Sequence, residues 1–198
     1  MRTILCAALA AFAALQLATT AAAGELEDGV LNEINFARAE PRRYAELLFR
    51  EARTEGAYLN WDEYDPDALN EAVAFLRRQP PLPPLTHDGR LAAAASDHAQ
   101  SQGRRGQIGH EGPGGETPGQ RLQRHGVWAG MSAENISYGF STPREVVAQL
   151  IIDSGVAGRG HRRNIFGAGW KIAGVACGAH RVYGSMCVID FAGALVAR

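Results

Sequence analysis

The sequence predicts an α+β fold, on three observations. Apolar residues recur at helical spacing in six separate stretches. Three of those stretches open on a capping residue followed by proline: Asp65-Pro66, Thr117-Pro118 and Thr142-Pro143. Two strand-like runs, 170–177 and 185–192, then close the chain at a separation that suits a hairpin with a medium loop.

The elements follow in chain order. Residues 1–23 read as a signal peptide. Arg2 supplies the charge, residues 4–18 the apolar run, and Ala21-Ala22-Ala23 the small residues before a cut. That apolar run is short for a membrane span, which needs about 20 residues. Cys6 would leave with it, so the expected mature chain is one domain, residues 24–198.

Residues 25–38 place Leu26, Val30, Ile34 and Ala37 on one helical face. Pro41 interrupts, and a second helix over 43–53 turns Tyr44, Leu47 and Leu48 inward. Asp65 caps a third, carrying Leu69, Val73 and Leu76 as far as Gln79. The segment Pro80-Pro81-Leu82-Pro83-Pro84 is a stiff connector, read as an intradomain strap rather than a recognition motif. A fourth helix over 88–102 carries Leu91, Ala94, Ala95 and His98, the last as a hydrogen-bonded core residue. Residues 103–119 hold seven glycines and two prolines, too many for a regular element, and long loops inside compact domains are often functional. Thr117 and Thr142 each open a capping box, starting a short helix to Gly126 and a longer one through Val146, Val147, Leu150 and Ile151. A second glycine-rich loop covers 155–160.

Nineteen of the 20 basic residues are arginine against 21 acids. Such a balance gives no reason to expect nucleic acid or an anionic membrane surface as partner. No later stretch is apolar enough to span a membrane. Once Cys6 is gone, two cysteines remain in an exported chain, and these read as a disulfide rather than a metal site. The hairpin would set Cys177 and Cys187 face to face, a bridge worth roughly 3 kcal/mol in the chain-entropy model.

Four polar segments carry residues suited to metal or acid–base chemistry: Gly109-His110-Glu111-Gly112, Glu134-Asn135, Asp153, and Gly160-His161-Arg162-Arg163-Asn164. Each alone has a plain reading. A loop histidine is usually solvated, Glu134-Asn135 fits a turn, and Asp153 could be a helix-end acid satisfied by Arg159 or Arg162. Asn135-Ile136-Ser137 also matches a glycosylation sequon, a pattern common by chance. Tyr138 reads as packing.

Taken together and in order, Gly109-His110, Glu134-Asn135-Ile136 and Gly160-His161-Arg162-x-Asn164-Ile165 resemble the bacterial branch of the CAP superfamily. That superfamily holds cysteine-rich secretory, antigen 5 and pathogenesis-related 1 proteins. The opening LNEINFARAEP, the PLPPL segment and the closing GVACGAH…CVIDFA fit as well. The resemblance implies a three-layer α-β-α sandwich around a central antiparallel sheet. It also implies a cleft lined by two histidines and two acids: His110, His161, Glu134 and, at the second acidic position, Asp153. Leu150 stands where animal and plant members have tryptophan, and Asp153 is one methylene shorter than their glutamate.

Two neutral imidazoles with a carboxylate and water would form an open Zn²⁺ site, and imidazole suits Cu or Ni as well. His110 and His161 are therefore the candidate metal ligands. The expected protein is secreted or periplasmic, and binds a metal and a small apolar (lipid) or peptide ligand without turnover. Two alternatives use the same residues. In one, an extracellular hydrolase, Glu134 is general base to a metal-bound water; Ser132 and Ser137 fit no nucleophile elbow. In the other, the four residues are only a polar network that ties loops together.

Overall fold

The computed structural model describes residues 24–52 and 65–195. The predicted signal peptide lies outside them, as does the predicted end of the second helix at Arg53. Helix α1 covers residues 24–39 and buries Val30, Ile34 and Ala37 as its spacing requires. Helix α2 (Pro41–Glu51) starts on Pro41, two residues before the expected start. Proline suits a first turn, where its missing N–H would have had no partner. Helix α3 (Pro66–Arg78) is capped by Asp65, whose side chain accepts from the Asp67 amide at 3.0 Å.

Strand β1 (Thr86–His87) leads into α4 (Gly89–Arg105), which ends at Gly106 in the left-handed region with φ 65°. Both expected capping boxes form, Thr117 with Gln120 at α5 (Pro118–Arg124) and Thr142 with Glu145 at α6 (Pro143–Ile152). Between them lies β2 (Ser132–Tyr138); after them come α7 (Gly160–Ile165), β3 (Ile172–His180) and β4 (Gly184–Ala192). The hairpin turn is residues 181–183, tighter than the medium loop expected.

Two of the four strands correct the sequence reading. Glu134 and Asn135 lie within β2 and not in a turn. The short β1 pairs parallel with β3, so the sheet, ordered β1-β3-β4-β2, is antiparallel only among its three long strands. The interior of β2 is polar, which hides the alternation that marks a strand. The sequon at Asn135 is closed for the same reason: its side chain is fully buried.

Helices cover both faces of the sheet, giving the α-β-α sandwich. On one face α4 lays Ala95 and Ala99 against Ile136, Ala176, Met186 and Val188. The approach is close enough that a Cβ on Gly174 would stand 2.1 Å from the Ala92 amide nitrogen, so only glycine fits there. On the other face Val175, Ile189 and Phe191 join the larger core of α1, α2, α3 and α6. Cys177 and Cys187 are bonded across the β3–β4 pair.

The proline segment is a strap within the fold. The Arg38 carbonyl accepts from the Leu82 amide at 2.8 Å. The fully buried Arg38 guanidinium donates to Pro83 O, and to Ile165 O at 2.6 Å and Gly167 O at 3.0 Å. One side chain thus ties α1 to the strap and to the end of α7. Among the described residues no helix is long and apolar enough to cross a membrane.

Candidate functional site

His110 stands on the loop after α4, and its backbone is held from three sides. Gly109, at φ 102°, is in a conformation that favours glycine. Its amide donates to the Tyr138 hydroxyl at 3.1 Å, and its carbonyl accepts from Gln102 Nε2 at 2.6 Å and from His98 at 3.0 Å. A carbonyl can only accept, so His98 carries its proton on Nε2. Burial pushes the His98 pKa down, which keeps this ring neutral.

The His110 ring then meets Glu134: Nδ1 lies 2.8 Å from Oε1. The other oxygen of Glu134 accepts from Arg121 Nη2 at 2.5 Å, and both of those side chains are only 1 % exposed. The paired carboxylate accepts, so Nδ1 of His110 carries a proton, and in the neutral ring the lone pair is on Nε2.

His161 repeats the arrangement with different parts. It is the second residue of α7, and its Nδ1 lies 2.7 Å from Oδ1 of Asp153. Asp153 ends α6 in the left-handed region, φ 56°, a conformation Asp tolerates better than most residues. Its second oxygen accepts from the His161 amide at 2.9 Å and the Arg162 amide at 3.4 Å. The carboxylate is thus satisfied by the backbone and ring of the histidine segment. Arg159 and Arg162 serve differently: Arg159 donates to the Asp153 carbonyl, while Arg162 donates to the Ile151 and Ile152 carbonyls at the helix end and to Glu71.

The two pairs are joined through consecutive residues of β2. Asn135 donates to the His161 carbonyl at 3.0 Å and accepts from Asn164 Nδ2 at 2.9 Å, and Asn164 is fixed in turn by the Trp170 indole at 2.6 Å. The structure therefore brings His110 to Glu134 and His161 to Asp153. Among the described residues no three His, Cys, Asp or Glu side chains form a set that could hold a metal ion.

Several participants had no sequence signal. Arg121 lies in a short helix with no motif around it, Gln102 falls at the end of the expected fourth helix, and Asp190 lies in a strand-like run. Asp190 pairs with Glu134 across the β2–β4 ladder, is 1 % exposed, and has no hydrogen-bond partner among the described residues. Burial first, and then the Glu134 carboxylate, push its pKa well above the usual carboxylate range. The folded chain thus holds a proton that the unfolded chain releases near pH ~4, so stability falls as pH rises above that value. Asp190→Asn is expected to stabilise the fold at pH 7, with the gain shrinking as pH falls toward ~4. Urea unfolding at the two pH values measures both.

A cavity of about 420 Å³ is lined by His98, Glu116 and Arg121 among others, and none of His110, Glu134 and His161 lines it. Ser137 is buried, and its hydroxyl makes no hydrogen bond among the described residues.

No curated protein matches the chain. Among solved structures it is similar to an extracellular SCP-domain protein from Bacillus anthracis, at 22% identity and a TM-score of 0.49, over 75% of this chain and 50% of that one. It is also similar to an outer surface protein from Borrelia burgdorferi, at 22% identity and a TM-score of 0.48, over 57% of this chain and 79% of that one. The chain thus spans half the length of the Bacillus protein. Residues 67–191, more than half of the sequence, match the CAP family, described as the cysteine-rich secretory protein family. By that match the chain belongs to the CAP family.

Proposed function

We propose that this chain is an exported CAP domain that binds a ligand through His110 and His161 and performs no turnover. One observation supports the reading above the rest: each imidazole has its Nδ1 engaged by a buried carboxylate, at 2.8 Å and 2.7 Å. That arrangement fixes the tautomer and presents Nε2, the pattern used to orient ligating histidines. The acids then serve as outer partners rather than ligands. A divalent ion such as Zn²⁺ would bind at Nε2 of His110 and of His161 and supply Lewis acidity. The ligand or solvent would complete its coordination, because this chain offers no third donor among the described residues. A peptide, or the polar end of a small apolar ligand, would use the same two nitrogens.

The hydrolase reading fits less well. Both oxygens of Glu134 already accept a hydrogen bond, one from His110 and one from the Arg121 guanidinium, which makes the carboxylate a weaker base toward water. An oxidising compartment suits the Cys177–Cys187 bridge, and the name of the family agrees with export.

Equilibrium dialysis with Zn²⁺ tests the metal arm. Wild-type protein is expected to retain zinc, the His110→Ala/His161→Ala pair to lose it, and Asp153→Asn to weaken it by about 10–100-fold. If wild-type protein retains none, and the double variant melts early while a chelator changes nothing, the residues are a structural network. The Asn135–Asn164 web is the observation that favours that second reading.

A further inference from the structure

Strand β2 grips the His110 segment twice, from one face. Side chains alternate along a strand, so Glu134, Ile136 and Tyr138 share the face that α4 covers. Glu134 takes the His110 imidazole. Tyr138, about 13 Å further along the strand, takes the peptide that precedes it.

The second grip is a closed cycle of hydrogen bonds. The Gly109 amide donates to the Tyr138 hydroxyl, the hydroxyl donates to Gln102 Oε1 at 2.6 Å, and Gln102 Nε2 donates back to the Gly109 carbonyl. Every donor points the same way round, an arrangement in which each bond polarises the next. The cycle also orients the Gln102 amide, since a carbonyl oxygen can only accept. Burial raises the Tyr138 pKa, so the hydroxyl keeps the proton it donates.

This cycle stands where the backbone has most freedom. Gly109 is at φ 102°, and glycine takes φ of either sign at little cost, so the peptide before His110 can swing unless it is held. The imidazole does not hold it. His110 is half exposed at the side chain, and its single bond to Glu134 leaves the ring free to pivot. His161 is placed differently: it lies within α7, and its own amide donates to Asp153 at 2.9 Å.

Tyr138 is steadied in turn from outside the cleft. Its ring packs edge-on against His180 at 5.3 Å and tilted against Tyr183 at 5.5 Å. His180 Nδ1 accepts from the Val182 and Tyr183 amides at 3.2 Å and 3.1 Å, and its Nε2–H donates to the Gln107 carbonyl at 2.8 Å. The β3–β4 turn and residues 107–109 thus meet on one phenol. Tyr183, the outermost member, is 49% exposed.

We infer that Tyr138 is a positioning residue for His110, and that Tyr183 on the β3–β4 turn sets His110 through it. The hydroxyl acts through the Gly109 peptide rather than on the imidazole. The inference deepens the ligand-binding reading and rests on it for the metal alone: whatever contacts Tyr183 changes how His110 presents Nε2.

Nitrogen-15 spectra of the imidazoles at about pH 8.5, where histidine is neutral, test it. In wild type His110 should show a protonated Nδ1 and a bare Nε2. Tyr138→Phe removes only the hydroxyl. It and Tyr183→Ala should each move His110 toward the mixed tautomers of a solvated histidine, while His161 keeps its wild-type pattern. An unchanged His110 in either variant overturns the inference. So does a parallel change at His161, which would make the tyrosine a support of the whole cleft. Should Tyr138→Phe fail to fold, the exposed Tyr183→Ala carries the test. In zinc dialysis Tyr138→Phe should lose about tenfold in affinity, as the loss of an outer partner of a ligand does. Equal zinc affinity in the two proteins overturns the inference. Zinc retained by neither, with the His110 spectrum changed as expected, sinks the metal reading and upholds this one.

Discussion

Arg121→Leu is expected to cost about 3–5 kcal/mol of folding stability, because it strands a buried carboxylate. Arg121 and Glu134 are both 1% exposed at the side chain, and among the described residues their 2.5 Å contact is the only charged hydrogen bond Glu134 accepts from a permanent cation. The arginine alone cannot be removed cheaply. Glu134 would keep only the His110 ring, itself half exposed, and would face the buried Asp190 across the strand pair. At roughly 2–4 °C per kcal/mol for a chain of this size, the melting temperature should drop by about 10 °C. Glu134→Gln in the same background should recover part of the loss, since an amide is less costly to bury than an unpaired charge. A single variant that melts like wild type would show that Glu134 does not need the pair.

Phe191→Ala should cost a similar amount, about 3–5 kcal/mol, by a different route. Phe191 is fully buried near the C-terminal end of β4 and stacks on Trp170 at 6.3 Å between ring centroids. Its partners in register are Ala133 on β2 and Ala173 on β3. Those small neighbours make room for the ring, and for the same reason neither can fill the space it leaves. The cavity therefore persists, which puts the cost at the high end for such truncations. Urea unfolding measures it, and a loss below about 1 kcal/mol would mean that the site collapses.

What was legible in the sequence was whatever leaves a local mark. Asp65, Thr117 and Thr142 announce helix starts because capping is chemistry within one turn. Val30, Ile34 and Ala37 announce a buried face because helical spacing is short-range. His110, Glu134 and His161 were visible as a set only through resemblance to a family, since nothing local ties residues 24 and 27 positions apart. Strand β2 was missed because its buried interior holds Glu134, Asn135 and Ser137, which look like loop residues until their partners are known. Arg121 and Asp190 were missed for a related reason. Their roles come entirely from tertiary contacts with Glu134, and a buried arginine in a short helix reads like any surface arginine.

The adjacency of Glu134 and Asn135 has a further consequence. Side chains alternate along a strand, so these two point to opposite faces of the sheet, one toward the His110 loop and the other toward the His161 helix. A slip of β2 by one residue against β4 would exchange them and undo both histidine contacts at once. The spacing of the two imidazoles is thus indexed by strand pairing. Residues such as Ile136 opposite Val188 and Tyr138 opposite Met186, which touch no ligand, hold that index in place. Sequence drift in those apolar pairs would detune the site as surely as loss of a histidine.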